Sequence, residues 1–330
     1  MNIVNKSLID LIGNTPMLKV DSFDTGLCEL YLKLENQNPG GSIKDRIGLS
    51  IIQEAEKNGD LVPGGTIVEA TAGNTGIGLC LVGNSLGLES TIVIPRSQSR
   101  EKKDMLRLCG AKLIEVDALP YSNPGNYIRV SEKISKEITN PNGVLWANQF
   151  DNLSNKKAHF LSTGPEIYDS FSGNLDGFIC SIGTGGTIAG VSSYLKEKDK
   201  EIKVCIADPM GSAMFNYFKN GILKSTGTSI TEGIGQGRIT KNLENVIIDD
   251  SFQISDTEAL KLIFEMLKHE GLILGGSSGI NIMGAIKLGK ELGPNKNIVT
   301  ILCDYGTKYQ SKIFNKEFLE SKNLPIPEWL

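Results

Sequence analysis

The sequence predicts an α/β protein of two lobes, with mostly parallel sheets flanked by helices. Three observations carry this. Short β-branched runs alternate with longer amphipathic segments along the chain, the pattern of strand–helix–strand units. Several of the runs pass through glycine-rich turns straight into helical segments. With 330 residues, 40% of them hydrophobic and 22% charged, there is ample material for a buried core and for a second lobe.

Seven runs read as strands: CELYLKLE (28–35), TIVEA (66–70), STIVIP (90–95), KLIEV (112–116), GFICSI (177–182), KVCIA (203–207) and NIVTILC (297–303). Between them, RIGLSIIQEAEKNG (46–59) spaces its apolar residues as a helix and stops at a glycine. SDTEALKLIFEMLKHEG (255–271) opens with a Ser255-x-x-Glu258 capping box and closes at Gly271. The 37 glycines, without a low-complexity linker or a fixed repeat, place functional turns between compact elements.

Composition excludes several classes of function. A formal net charge of -4 leaves no basic stripe to displace counterions from DNA or RNA, so no nucleic-acid partner is expected. The opening MNIVNKSLIDLIGNTPML is broken by Asn5, Lys6 and Asp10 and lacks the apolar centre of a signal peptide. No run approaches a membrane span, and no membrane partner is expected. Of six cysteines, Cys80, Cys180, Cys205 and Cys303 lie in apolar segments, and no pair has zinc-site or CxxC spacing. They read as reduced core residues of a cytoplasmic protein. His159 and His269, far apart and near lysines, read as satisfied or solvated side chains, and no metal is expected.

The chemistry should lie in the glycine turns. In GFICSIGTGGTIAGVSSYLKEK (177–198) a strand runs into Gly183, Thr184, Gly185, Gly186 and Thr187 and then a helix, turning backbone N–H groups toward one point at a positive helix end. A dinucleotide fingerprint would need glycine at Ile188, although Asp208 stands where a ribose-binding acid could. EATAGNTGIGLCLVG (69–83) presents Thr71, Asn74 and Thr75 around Gly73 and Gly76, a set that suits a carboxylate; alone, it reads as helix capping by Asn74 or Thr75. LILGGSSGINIMGA (272–285) offers Ser277 and Ser278 at another helix start, again an ordinary N-cap in isolation. NPGGSIKDR (38–46) encloses Lys44 in compact backbone, where a merely solvated lysine is the simpler reading.

Taken together and in order, GNTPM (13–17), NPGGSIKDR, EATAGNTGIG, GTGGTIAG, EGIGQG (232–237), GGSSG and CDYGTKY (303–309) resemble the pyridoxal-phosphate enzymes of the tryptophan synthase β-subunit fold. Within these the resemblance is to the cysteine synthase and cystathionine β-synthase group. It implies pyridoxal 5'-phosphate as cofactor, Lys44 as its Schiff-base lysine, and Gly183, Thr184, Gly185, Gly186 and Thr187 as its phosphate cradle. Asn74 then faces the cofactor's phenolic oxygen and Ser277 its pyridine nitrogen, where a neutral hydroxyl suits β-elimination. Thr71, Ala72, Gly73, Thr75 and Gln149, the last in WANQF (146–150), form the substrate site, with Thr71, Thr75 and Gln149 on the α-carboxylate.

The implied reaction is β-replacement or β-elimination on serine, O-acetylserine or cysteine through an aminoacrylate, with sulfide or a thiol as partner substrate. A smaller mobile lobe is expected over 41–147, a larger cofactor-anchoring lobe over 1–40 and 148–330, and a homodimer by the same resemblance. Ala72 stands where many relatives carry serine. Glu232, a candidate proton relay, matches cystathionine β-synthases rather than O-acetylserine sulfhydrylases. The N-terminal haem segment and C-terminal regulatory domains of some relatives are not expected. Alternatives are a cysteine-consuming lyase releasing hydrogen sulfide, an NAD-dependent oxidoreductase using the Gly183 loop and Asp208, and a Rossmann-like binding protein. The last two leave Lys44 and Ser277 unexplained.

Overall fold

The structure, a computed structural model, describes residues 6–330. Among the described residues ten strands form two sheets: β1 (Met17–Val20), β2 (Glu29–Leu34), β3 (Thr66–Ala70), β4 (Glu89–Pro95), β5 (Lys112–Val116), β6 (Val144–Trp146), β7 (Gly177–Cys180), β8 (Lys203–Pro209), β9 (Asp250–Ile254) and β10 (Asn297–Leu302). One sheet has the order β1-β2-β10-β7-β8-β9 and the other β5-β4-β3-β6. Among these strands only β1 and β2 pair antiparallel; every other strand pairing is parallel.

All seven expected strands are present, with ends shifted by a few residues. β1, β6 and β9 were not anticipated. Each is an edge strand paired on one side only, β1 with β2, β6 with β3 and β9 with β8, and it exists as a strand because that neighbour offers its edge. The helix expected from Arg46 starts at Lys44 and runs Lys44–Asn58, ending where left-handed Gly59 donates its N–H to Ala55 and Glu56. Ser255 and Glu258 form the expected capping box on Asp256–Glu270, which Gly271 closes.

Both faces of each sheet are covered, which is why the strands read as continuous apolar runs. In the large sheet, alternate residues point to opposite cores. Ile179 and Ala207 pack on Ile263 and Ile280, while Phe178 and Val204 pack on Ile188 and Val191. In the small sheet Ile67 joins Ile47 and Leu79, and Ile92 joins Leu106, on one face, while Ala70 meets Ile128 on the other. The carboxyl ends of β3, β7 and β10 all open toward the space between the sheets, and parallel α/β architecture puts ligands outside such ends.

A buried ion cluster ties the Lys44 helix to the large sheet. Arg46 Nε and Nη2 donate to Glu35 at 2.7 and 2.8 Å, and Nη1 and Nη2 donate to Glu166 at 2.7 Å each. Lys33 adds a further ion pair to Glu166 at 2.7 Å. Burial alone would raise the Glu166 carboxyl, but the hydrogen bonds and charges of Arg46 and Lys33 prevail and hold it at about 2. Lys44, two residues before Arg46, therefore sits on a fixed support.

Candidate active site

A cleft of about 640 Å³ lies between the sheets, and Lys44 lines it. The preceding turn is compact for a steric reason: a Cβ on Gly40 would stand 2.5 Å from Asp45 Oδ1, and that carboxylate accepts the Gly40 N–H. Burial pushes the Asp45 carboxyl up to about 6 against the opposing effects of the Gly40 N–H and Lys308. Lys44 Nζ has no hydrogen-bond or ion-pair partner among the described residues; only its backbone N–H is engaged, by Ser42 Oγ at 3.2 Å. A partly buried amine with no protein acceptor, aimed into a cleft, is available for a ligand.

Gly183, Thr184, Gly185 and Thr187 line the same cleft, and Gly186 lies just behind it. Gly185, at φ 87°, is the N-cap of the helix Gly186–Lys198 and supplies no side-chain cap, so first-turn N–H groups remain for an external acceptor. Glycine is required at 186 because a Cβ would fall 1.8 Å from Asn155 Oδ1. Asn155 Nδ2 in turn donates to Thr184 Oγ1 at 2.8 Å and to the Gln149 carbonyl at 2.7 Å. Ser181 Oγ, also lining the cleft, is buried without a partner.

His159 is buried and satisfied, as its sequence context indicates, but it also belongs to this loop. Its Nδ1 lies 2.9 Å from Thr163 Oγ1 and its Nε2 lies 3.2 Å from Thr187 Oγ1. Burial, then the charges of Arg46 and Lys44, push its pKa well below the usual histidine range, so a neutral imidazole orients the Thr187 hydroxyl. The π-helical turn His159–Thr163 carries it, and nothing in its local sequence marks the contact.

Thr71, Ala72, Gly73, Asn74, Thr75 and Gln149 converge on the opposite wall. Capping by Asn74 or Thr75 is not what the structure shows. The N-cap of the helix Asn74–Ser85 is Gly73, at φ 132°, with no side-chain cap bond. Thr71, Thr75 and Gln149 are buried rather than surface groups. Thr71 Oγ1 accepts the Gly73 N–H at 2.9 Å, and Thr75 Oγ1 donates to Gln149 Oε1 at 2.6 Å. Gln149 Nε2 donates to Glu69 Oε1 at 3.1 Å and to the Ala70 carbonyl at 2.8 Å, which engages both amide hydrogens. Glu69 is completely enclosed, and burial pushes its carboxyl up to about 8.

Asn74 is gripped from two sides. Its Nδ2 donates to Asp304 Oδ2 at 2.6 Å and its Oδ1 accepts from Lys308 Nζ at 3.0 Å. Tyr309 Oη also donates to Asp304 Oδ2, and Lys308 Nζ reaches the Gly40 and Gly41 carbonyls at 2.8 and 3.1 Å, joining this wall to the Lys44 turn. Ser277 lies in the cleft in the first turn of Gly276–Leu292, whose N-cap is Gly275 without a side-chain cap bond, so the expected serine cap is absent here too. Cys303 lines the cleft as well, and burial pushes its thiol up to about 11 against the Lys44 charge.

Glu232 is buried in the cleft wall, its Oε2 2.9 Å from Lys102 Nζ and its Oε1 bonded by Lys312 Nζ. Burial works to raise this carboxyl, but the two lysines outweigh it and hold it below the usual range. Sequence reasoning missed Lys102 and Lys312 because they lie 130 and 80 residues from their partner. Asp208 is not a ribose-binding acid. It is fully buried outside the cleft and its Oδ2 accepts the Phe215 N–H at 2.7 Å at the start of the helix Met214–Asn220.

An unpaired amine, an orphaned hydroxyl and three helix starts with no side-chain caps fit an aldehyde that carries a phosphate. Ser277 adds a neutral hydroxyl for a ring nitrogen. Comparison with known proteins points the same way. Residues 8–304 match the family model described as pyridoxal-phosphate dependent enzyme. The chain is 44% identical to cysteine synthase 1 of Neurospora crassa, over 99% of this chain and 88% of that protein. It superposes with a TM-score of 0.85 on an O-acetylserine-dependent cystathionine β-synthase of Helicobacter pylori, at 35% identity over 94% of this chain and 98% of that one. A hydrogen sulfide-producing enzyme of Fusobacterium nucleatum gives the same TM-score at 34% identity, over 93% and 100% of the two chains. With Lys44 and the three glycine-led helix starts around one cleft, this chain belongs to the pyridoxal-phosphate-dependent enzymes of the fold shared by these synthases.

Proposed function

We propose that the protein catalyses β-replacement on a small L-amino acid, serine or O-acetylserine, with sulfide or a thiol as second substrate. The observation that carries the reading is the unpartnered Lys44 Nζ set between a phosphate-type cradle and a carboxylate-type loop. When bound, the cofactor supplies the electron sink that makes the substrate α-proton acidic.

The chain's own residues do the rest. Gly183, Thr184, Gly185, Gly186 and Thr187 hold the phosphate by N–H and hydroxyl donors, with His159 orienting Thr187. Asn74, held by Asp304 and Lys308, would serve the cofactor's phenolic oxygen. Ser277, which is neutral, need not keep the ring nitrogen protonated. Lys44 Nζ takes the proton from the substrate α-carbon and delivers it toward the departing β-substituent. Thr71, Ala72, Gly73, Thr75 and Gln149 receive the amino acid, its carboxylate meeting the first N–H groups of Asn74–Ser85. Glu232 acts near neutral pH as a carboxylate, accepting from Lys102 and Lys312 and orienting what enters at the β-carbon. Closure of residues 41–147 over the substrate excludes water during the reaction.

Breakdown of cysteine with release of hydrogen sulfide is a second reading, favoured by the similarity to the Fusobacterium enzyme. A homodimer is part of the proposal by family resemblance. Six free cysteines support a reducing compartment such as the cytoplasm, and no helix among the described residues is long and apolar enough to cross a membrane. The test is product analysis with serine, O-acetylserine and cysteine, each with and without sulfide or homocysteine. Cysteine or cystathionine formed from serine or O-acetylserine supports synthesis; sulfide released from cysteine alone selects the second reading; absence of every product overturns both.

A further inference from the structure

We propose that Lys102 and Lys312 form an oxyanion site in the outer cleft, so that one of the two substrates carries an anionic group beyond the reacting β-carbon or sulfur. This rests on the β-replacement reading and names the substrate chemistry of that same cleft. Glu232 is the only acidic residue among the described residues that line the cleft, whereas Lys44, Lys102, Lys312 and Lys322 all line it. Glu232 is shared by two ammonium groups, leaving the three-residue cluster with one positive charge in excess. A cofactor phosphate held at the Gly183 loop draws on backbone N–H groups and hydroxyls and does not need that charge.

The surplus is placed where a ligand could use it. The Lys102 side chain is 2% exposed, yet its Nζ has one acceptor, Glu232, and otherwise faces the Tyr309 ring at 4.1 Å. No other acceptor bonds it among the described residues, so a buried ammonium keeps an unfilled N–H direction. Lys312 is more open at 21% and also donates to the Ser97 carbonyl at 2.8 Å. The cluster borders both ligand loops. A Cβ on Gly73 would strike the Lys102 stem at 2.5 Å, and one on Gly183 would strike the Gly233 carbonyl, beside Glu232, at 2.4 Å. An anion at Lys102 therefore lies beside the Gly73 loop, next to the amino-acid site. Burial makes each charge-assisted bond there worth more than on a surface.

A phosphoryl group on the donor and an oxyanion on the sulfur acceptor share this chemistry, and the experiment separates them. The cofactor-loaded protein, as wild type, Lys102→Met and Lys312→Met, is assayed with O-acetyl-L-serine or O-phospho-L-serine as donor, each with sulfide or thiosulfate as acceptor. The expected result is a loss in kcat/KM of about tenfold or more for the oxyanion-bearing substrate, beyond any loss for its counterpart, in either variant. A selective loss with O-phosphoserine assigns the site to the donor, and one with thiosulfate assigns it to the acceptor. In parallel, calorimetry measures thiosulfate and inorganic phosphate binding to the same proteins. Should no donor and acceptor pair react, the β-replacement reading fails, while anion binding by wild type that both variants lose still supports the site. Equal losses for all substrates, together with no anion binding by wild type or unchanged binding in Lys312→Met, would overturn it.

Discussion

Thr75 and Gln149 are joined by a hydrogen bond of 2.6 Å that makes the glutamine carbonyl the acceptor for the threonine hydroxyl. Because both Gln149 amide hydrogens are also engaged, by Glu69 and the Ala70 carbonyl, its side-chain donors are occupied before substrate arrives. Binding of an α-carboxylate by Gln149 then requires exchange of one of these bonds, a local rearrangement that couples occupancy of the site to the end of β3.

Gln149→Ala should weaken amino-acid binding and leave the resting absorption of the bound cofactor nearly unchanged. Loss of one polar contact with exposure of its partners costs about 1–3 kcal/mol, or about 5- to 150-fold in affinity. Spectral titration with O-acetylserine, serine and cysteine measures it. Wild-type affinity for all three would remove Gln149 from the carboxylate site.

Lys44→Ala should abolish turnover with little effect on the stability of the cofactor-free protein. The amine bonds no described protein group, so the fold loses only a solvated charge, within about 0.5 kcal/mol. Loss of the group that moves the α-proton costs about 100- to 10,000-fold by that role alone. Borohydride reduction of the wild type followed by peptide mass spectrometry should place the cofactor on Lys44; attachment at another lysine refutes the assignment.

Gly186→Ala should loosen the cofactor. The new methyl group would overlap Asn155 Oδ1, and Asn155 holds both Thr184 and the Gln149 carbonyl, so the cradle must shift. Overpacking of this kind costs about 1–3 kcal/mol. Cofactor retained through dialysis, read by absorbance, should fall in the variant; equal retention would show that the loop absorbs the methyl group without moving.

Glu69→Gln should flatten the pH dependence of stability between about pH 5 and 8. Burial raises the folded carboxyl to about 8, above its ordinary value of 4.5, so within that window the folded protein holds a proton that the unfolded chain has released. This contribution is complete below the unfolded value and declines as pH rises through the folded one, by at most about 1.4 kcal/mol per pH unit. Urea unfolding of both proteins at several pH values gives the difference curve. A difference that does not change with pH would mean that Glu69 stays ionised.

Much of this was legible in the sequence because it is written locally. A strand entering a glycine turn and leaving as a helix can be read within about 20 residues, and so can the Ser255–Glu258 box and the Gly59 and Gly271 stops. Ordered along the chain, the same motifs singled out Lys44, the Gly183 loop and Ser277, all of which the fold brings to one cleft, with Gly186 immediately behind. Taken alone, the Asn74 and Ser277 starts read as ordinary caps; in the structure glycines occupy the cap positions at all three starts and leave the neighbouring hydroxyl and amide side chains to the cleft.

Tertiary structure alone decided the partners. Lys102 meets Glu232 across 130 residues, Lys308 meets Asn74 across 234, and His159 meets Thr187 across 28. In each pair one partner, Lys102, Lys308 or His159, looks ordinary in its own segment. Local sequence records the conformation of the backbone through sterics, hydrogen bonding and burial, which act over a few residues. Which charge faces which depends instead on how two sheets and their helices pack, so the electrostatics of the cleft exist only once the chain has closed around it.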